Sequence, residues 1–382
     1  MFLMLLLAFA LVAVGCTNDG GAGDEGSEDT DASLGTEDPD AIEGSEPATT
    51  AGGGVFDRVT ERGSVVCGVN NEVPGFGAVG ADGELVGFDI DFCKALAAAV
   101  FGDPEAVEMR PLISDQRFPA LKSGEIDVLI RNTTWTATRD GTEGATFLHT
   151  NFYDGQGMMV SADSEYQSID DMEGATVCVT SGTTTEQNLA TRFQDMDYDP
   201  QVFEDNETLQ AAFVEGRCDG WTSDLSQLYG IRSAYPEEEG GPESLRILNG
   251  EDGTPEAFSK EPLGPVVSDG DSQWAQIVDW TVFATIQAEE FGITQDNVEE
   301  MTASDDVNIQ LFLGQESEAA EGTVLDPGLG LDPDFAVDVI SAVGNYGEIF
   351  DRHLGPNTPL ELERGLNALW TDGGLQYAPP YR

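Results

Sequence analysis

The stretch Ser123-Gly-Glu-Ile-Asp-Val-Leu-Ile-Arg-Asn-Thr-Thr-Trp-Thr-Ala-Thr-Arg139 decides the fold. Gly124 punctuates a turn, and Ile126 to Ile130 is a short apolar run of the length expected for a buried strand. The residues that follow are rich in hydroxyls and close on Arg139. A planar guanidinium binds a carboxylate through two charge-assisted hydrogen bonds, and neighbouring hydroxyls fill the remaining lone pairs. Taken alone, Arg139 reads more simply as the partner of a surface carboxylate, so its surroundings must decide.

Upstream, Ser64–Val69 is a short strand that enters a turn at Asn70–Gly75, and Leu85–Phe88 is a second extended piece. Asp89 to Val100 is alanine-rich and helical, with Asp89 expected as its cap. Val107–Pro111 extends again and Arg117–Lys122 turns helically. This βαβα order implies a parallel sheet covered by helices, in which ligands sit beyond the carboxyl ends of the strands. Arg139 falls there. Downstream the pattern restarts, with a strand at Thr176–Val179, a turn at Thr180-Ser-Gly182 and a helix from about Thr184. Gln201–Phe203 is extended, Asn206–Glu215 helical, and Cys218–Thr222 a strand ending at Asp224. Ser123-Gly-Glu-Ile-Asp127 and Glu215-Gly-Arg-Cys-Asp219 repeat one device, so the body is two α/β lobes rather than one large sheet. Gln273–Phe291 carries Trp274, Ile277, Val278, Thr281 and Thr285 on one helical face, most simply as core.

The chain has 382 residues, enough for one or two cores, and sets 16 basic residues against 72 acidic ones for a net charge of −56. That charge excludes nucleic acid and anionic membrane surfaces as default partners. Its self-repulsion is screened by salt, which suggests a halophilic or salt-tolerant source. Met1–Gly15 is almost wholly apolar and runs into Ala13-Val-Gly-Cys16, too short for a comfortable membrane span. It resembles a lipoprotein signal with Cys16 as the lipidated residue; a plain secretory signal is the alternative. Residues 17–54 are Gly, Ser, Thr, Asp and Glu with few large apolar side chains, the composition of a disordered acidic tether.

Four further cysteines, an even number in an exported protein, suggest two disulfides. Three pairings are possible. Cys67 with Cys93 and Cys178 with Cys218 is favoured, because each then closes a short loop inside one lobe; buried free thiols are the alternative. No Cys/His spacing suits zinc, His149 and His353 lie far apart, and there is no GxxxxGK[ST] loop. No metal or cofactor is expected.

Thr183-Thr-Thr-Glu186 has the spacing of a capping box at a helix start, where free N–H groups favour an anion. Most such caps bind nothing. Asp224, just past a strand and flanked by apolar residues, needs a cationic partner if buried. An arginine for a carboxylate on one lobe and an aspartate for an ammonium on the other describe an amino-acid clamp.

Several segments carry a family resemblance. They are Gly87-Phe-Asp-Ile-Asp-Phe-Cys-Lys-Ala-Leu96, Ser123–Asp127, Arg131-Asn-Thr-Thr-Trp-Thr136, Tyr153-Asp-Gly-Gln-Gly157 and Gly182-Thr-Thr-Thr-Glu186. To these add Gly344-Asn-Tyr-Gly-Glu-Ile-Phe350, Arg364-Gly-Leu-Asn-Ala-Leu-Trp370 and Gly373-Gly-Leu-Gln-Tyr-Ala-Pro-Pro380. In this order, from about Val55 to Arg382, the chain resembles the extracytoplasmic solute-binding proteins of polar amino-acid ABC importers (bacterial solute-binding protein family 3), and most of all their general L-amino-acid subgroup. The resemblance implies a two-lobed periplasmic-binding-protein-like (type II) α/β fold with two hinge strands, crossing near Tyr153–Gly157 and Ser259–Pro265. On that scheme 55–155 opens lobe 1, 156–260 forms lobe 2, and 261–382 returns to lobe 1 and extends it.

The resemblance also implies roles. Arg139 takes the α-carboxylate with Thr134 and Thr184 beside it, and Asp224 takes the α-ammonium. Asn132 lies in the same motif. Asn70 falls where relatives carry an acid for basic side chains, and its amide argues against strict lysine or arginine specificity. Phe76 and Trp135 are candidates for covering the ligand. The implied function is non-enzymatic capture of L-amino acids, of broad or polar specificity, for an ABC permease and its ATPase subunit. A dehydratase or lyase on the same fold, or a ligand-sensing domain, are the alternatives.

Overall fold

The computed structural model describes residues 53–381. Cys16, the apolar leader and nearly all of the acidic stretch 17–54 lie outside the described residues.

Helix α1 (Val55–Arg62) precedes β1 (Val65–Val69), which is buried along its whole length. A small antiparallel sheet follows, of β2 (Glu72–Val73), β3 (Gly77–Val79) and β4 (Leu85–Val86). Next come α2 (Phe88–Phe101), β5 (Val107–Pro111), α3 (Arg117–Ser123), β6 (Val128–Leu129), α4 (Ala137–Thr142) and β7 (Ala145–Phe147). The chain continues through β8 (Phe152–Asp154), β9 (Gln156–Ser161), β10 (Thr176–Thr180), α5 (Thr184–Arg192), β11 (Asp199–Phe203), α6 (Asn206–Val214), β12 (Gly220–Asp224), α7 (Leu225–Ser233) and β13 (Leu245–Ile247). It returns by β14 (Glu261–Leu263) and β15 (Val266–Ser268) to α8 (Ser272–Glu290).

Two five-stranded sheets result, with orders β5-β1-β6-β15-β7 and β11-β10-β12-β9-β13. In each, three strands run parallel and the strand that joins them from the far side is antiparallel. Between the sheets the chain crosses twice, through β8 and β14, which pair antiparallel with Tyr153 opposite Pro262. The two α/β lobes are those that the repeated sequence pattern implies, and the two connecting strands are those that the family resemblance implies. Large apolar side chains fill both faces of each sheet.

The repeated Gly-x-x-Asp device has a concrete meaning. Asp127 Oδ2 accepts the backbone N–H of Val66 at 2.8 Å, and Asp219 Oδ2 accepts that of Thr176 at 2.8 Å. Each aspartate thus pins the start of the middle strand of its sheet's parallel trio, β1 or β10. Disulfides join Cys67 to Cys93 and Cys178 to Cys218. Cys67 and Cys178 sit on β1 and β10, the middle strand of each parallel trio, and the bonds close loops inside the first and second sheet regions respectively.

Helix α2 departs from expectation at its start. Gly87, not Asp89, is the N-cap, and Asp89 lies buried inside the first turn. Its carboxylate instead accepts the backbone N–H of Asn132 at 2.8 Å. Gly87 is required there, because at φ 146° a Cβ would stand 2.1 Å from Phe76 O. After the amphipathic α8 come α9 (Val298–Met301), α10 (Val307–Phe312), α11 (Phe335–Val343) and α12 (Tyr346–His353). Helices α8, α11 and α12 pack on α2, and Trp274 Nε1 donates to Asp127 O at 2.9 Å. Beyond α12 the chain makes two 3-10 turns, at Gly365–Asn367 and Trp370–Asp372. Asn367 bonds both the N–H and the C=O of Tyr153, bracing one crossing strand.

Candidate functional site

A cavity lies where the carboxyl ends of the two sheets face each other. The space open to the centre of a water molecule is about 30 Å³, and the wall consists of hydroxyl, amide, guanidinium and carboxylate side chains. Six of the eight residues expected from sequence line it: Asn70, Asn132, Thr134, Arg139, Thr184 and Asp224. Phe76 and Trp135 do not. Phe76 is 1% exposed and packs edge-on against Phe88 and Phe152 in the core. Trp135 is 41% exposed and stacks on Phe147, so neither ring covers the cavity.

The first wall is the segment after β6. Asn132 has φ 34°, in the left-handed region that asparagine tolerates better than most residues. Asp89 holds its backbone N–H, and its side chain bonds Asn70 at 3.1 Å and Gln227 at 3.4 Å. This kink separates two arginines. Arg139 lies in the short helix α4, capped by Thr136, and donates from Nη1 to Thr134 O at 3.0 Å and from Nη2 to Gly182 O at 3.2 Å. Arg131 donates from Nε to Leu112 O at 2.7 Å.

The opposite wall comes from the second sheet. Gly182, at φ 68°, turns the chain out of β10 and presents its carbonyl to Arg139 and to Arg117 Nη2, at 3.2 and 3.1 Å. Thr183 caps α5 by accepting from Glu186 N at 3.1 Å, and Glu186 reaches back to Gly182 N. The expected reciprocal box is therefore shifted by one residue. Thr184 Oγ1 lies 3.3 Å from Thr134 Oγ1 and donates to buried Glu261 on β14 at 2.7 Å. Asp224 closes β12, and its Oδ1 is buried with no hydrogen-bond partner among the described residues. Burial, and then repulsion from Asp154 and Glu261, push the Asp224 carboxyl well above the ordinary carboxylate range. A cation supplied from the cavity would reverse that cost.

Three arginines, 117, 131 and 139, line one cavity in a chain so rich in acid, yet none forms an ion pair within 4.0 Å among the described residues. Burial lowers all three below the usual arginine range, Arg131 to about 10, which leaves it charged at neutral pH. Sequence reading missed Arg117, and noted Arg131 only inside a motif. The available signal was their position: one basic residue heads an apolar turn at Phe118-Pro-Ala-Leu121, the other ends a buried strand. Asp89 was misread as a cap. Burial pushes it up to about 7, against the opposing pull of the Asn132 N–H and of Arg131.

Residues 65–297 match the family model of the bacterial extracellular solute-binding proteins, family 3. The general L-amino acid-binding periplasmic protein of Rhizobium johnstonii is 50% identical over 337 residues, covering 88% of this chain and 95% of that one. The glutamate/glutamine/aspartate/asparagine-binding protein of Rhodobacter capsulatus is 45% identical over 338 residues, covering 88% and 95%. A solved ABC transporter periplasmic binding protein from Brucella ovis with glutathione bound superposes with a TM-score of 0.80 at 47% identity, covering 87% of this chain and all of that one. Family match, whole-chain identity and superposition agree, and this chain belongs to the bacterial extracellular solute-binding proteins, family 3.

Proposed function

We propose that the chain captures L-amino acids of broad or polar type outside the cell membrane and delivers them to the permease subunits of an ABC importer. One observation carries this reading. Arg139 and the unsatisfied Asp224 Oδ1 line the same small polar cavity from different sheets. Arg139 engages two of its five donors with carbonyls, so donors remain for an α-carboxylate, with Thr134 and Thr184 beside it. Asp224 takes the α-ammonium, and Asn70 and Asn132 face the side chain. The names of the relatives from Rhizobium johnstonii and Rhodobacter capsulatus support an amino-acid ligand.

In this proposal lobe 1 comprises 55–155 and 261–382, lobe 2 comprises 156–260, and ligand binding closes the two about β8 and β14. Cys16 carries the lipid that tethers the protein to the membrane. A family of binding proteins needs no catalytic group, and the cavity acids are assigned to ligand charge rather than to turnover.

Calorimetry on protein unfolded and refolded to strip carried-over ligand tests the reading, with a panel of L-amino acids. Binding of at least one, with a 1:1 stoichiometry, is expected; silence across the panel refutes it. Glutathione belongs in the panel because of the Brucella ovis structure, and its γ-glutamyl end carries a free α-amino-acid group. A cavity of about 30 Å³ would have to open considerably to admit a tripeptide. Mass spectrometry of the lipid-modified N-terminus tests Cys16.

A further inference from the structure

Resting on the amino-acid reading above, we infer that Arg131 is a specificity-determining residue that takes a second carboxylate, so that the preferred ligands are dicarboxylic L-amino acids. The inference starts from which cavity donors are already used. Arg117 is engaged at all three of its nitrogens, by Ser114 O at 3.1 Å, Thr133 Oγ1 at 3.5 Å and Gly182 O at 3.1 Å. Arg139 donates once from each terminal nitrogen, to Thr134 O and Gly182 O, and its remaining donors are assigned above to the α-carboxylate. Arg131 bonds only through Nε, to Leu112 O, and its two terminal nitrogens have no partner among the described residues. Yet this side chain is 6% exposed and lines the cavity. A largely buried guanidinium with its fork unfilled has given up much of its hydration, and an acceptor arriving in the cavity would replace it.

The charge balance points the same way. Three guanidinium groups and one carboxylate line the cavity, and the excess is positive although the whole chain carries −56. A zwitterionic ligand with a neutral side chain leaves that excess unchanged, whereas a dicarboxylic one adds a negative charge. The planar fork of Arg131 matches a carboxylate in a bidentate arrangement. Glu72 and Asp89 act on Arg131 only at longer range, without an ion pair within 4.0 Å, and do not fill its fork. A basic ligand would bring its charge toward three arginines and is disfavoured.

The test is a comparison of L-glutamate with L-norvaline, which has the same chain length and ends in a methyl group, on stripped wild-type protein and on Arg131→Gln. Wild type should bind glutamate at least about 30-fold more tightly than norvaline. In Arg131→Gln the preference should fall to about threefold or less, with norvaline affinity nearly unchanged. A role for Arg131 in folding alone would weaken both ligands together and leave the ratio intact, which would overturn the inference. Should Arg131→Gln not fold, the wild-type ratio still decides, since equal affinity for the two ligands refutes a carboxylate subsite. If no amino acid binds, the proposed function fails and this inference with it. If neutral amino acids bind as tightly as glutamate, only this inference fails.

Discussion

In the first sheet, β6 ends at Leu129 and the chain runs through seven residues before α4 begins at Ala137. In the second, the equivalent strand β12 ends on Asp224 and α7 begins at the next residue. The three parallel strands take the same order in both sheets, and the middle strand of each trio is pinned by an aspartate three residues after a turn glycine. What differs is the length and charge of the connection at the carboxyl end. The long connection has room for a kink at Asn132 and for Arg131, with Arg139 in the helix that follows, while an immediate helix start leaves one carboxylate facing the cavity. A repeated scaffold thus yields two walls of opposite character, because ladder hydrogen bonds and core volume constrain the strands but not the loops beyond them.

The largest test of that division of labour is at the charges themselves. Asp224→Ala should lower affinity for any α-amino acid about 1,000-fold, in line with truncating one partner of a buried ion pair. Calorimetry measures it. The free protein should be no less stable, since the substitution removes a buried carboxylate that lacks a partner. Arg139→Ala should cost about 100-fold, somewhat less because Arg117 reaches the same carbonyl of Gly182. Equal and small losses from both would break the assignment of one charge to each wall.

Asp89 gives a pH test specific to the first wall. Its carboxyl is pushed from the ordinary 3.8 to about 7, chiefly by burial, so the folded protein holds a proton that the unfolded chain releases. Between about pH 4 and pH 7 the folded state therefore binds more protons, and this group's contribution to stability falls as pH rises. The contribution is on the order of 4 kcal/mol across that window. Urea unfolding of wild type and Asp89→Asn at several pH values isolates it. The wild type should lose ground to the variant as pH rises, and parallel curves would remove Asp89 from the account. The two disulfides come next, closing loops with separations of 26 and 40 residues. Replacing either pair with alanines should cost about 3 kcal/mol of unfolding free energy, and a loss confined to one pair would separate the two lobes.

Much of this was legible in the sequence. The strands around Val65 and Thr176 announced themselves as short, largely apolar runs between turns, and the helix from Ser272 by its stripe of buried residues. That Arg139 and Asp224 would come to the cavity was legible because each lies at or just past the carboxyl end of a strand. The rest needed three dimensions. Asp89 looked like a cap, since aspartate before an apolar helical segment usually is one, but Gly87 takes that place and Asp89 reaches Asn132 across 43 residues. Phe76 looked like a ligand cover because aromatic residues near a turn can be, and nothing local reveals that Phe88 and Phe152 enclose it. Arg131 and Arg117 were hidden for a similar reason: whether an arginine meets a carboxylate or a cavity depends on which loops converge there.

The smallest expected effect bears on the scaffold that the two lobes share. Asp127 and Asp219 make the same backbone bond in their own sheets, but their settings differ. Asp127 is buried and pairs with Arg62, while Asp219 is exposed. Asp127→Ala removes a buried acceptor from the Val66 N–H and leaves Arg62 unpaired, with an expected loss of about 2 kcal/mol. In Asp219→Ala water can replace the carboxylate at the Thr176 N–H, so the loss should stay below about 1 kcal/mol. Urea unfolding at fixed salt measures both, and the chain's large negative charge makes the fixed salt essential. If the two losses were equal, the shared bond itself would carry the stability and burial would be incidental. A larger loss at Asp127 means that one device does different amounts of work in the two lobes, according to how much water reaches it.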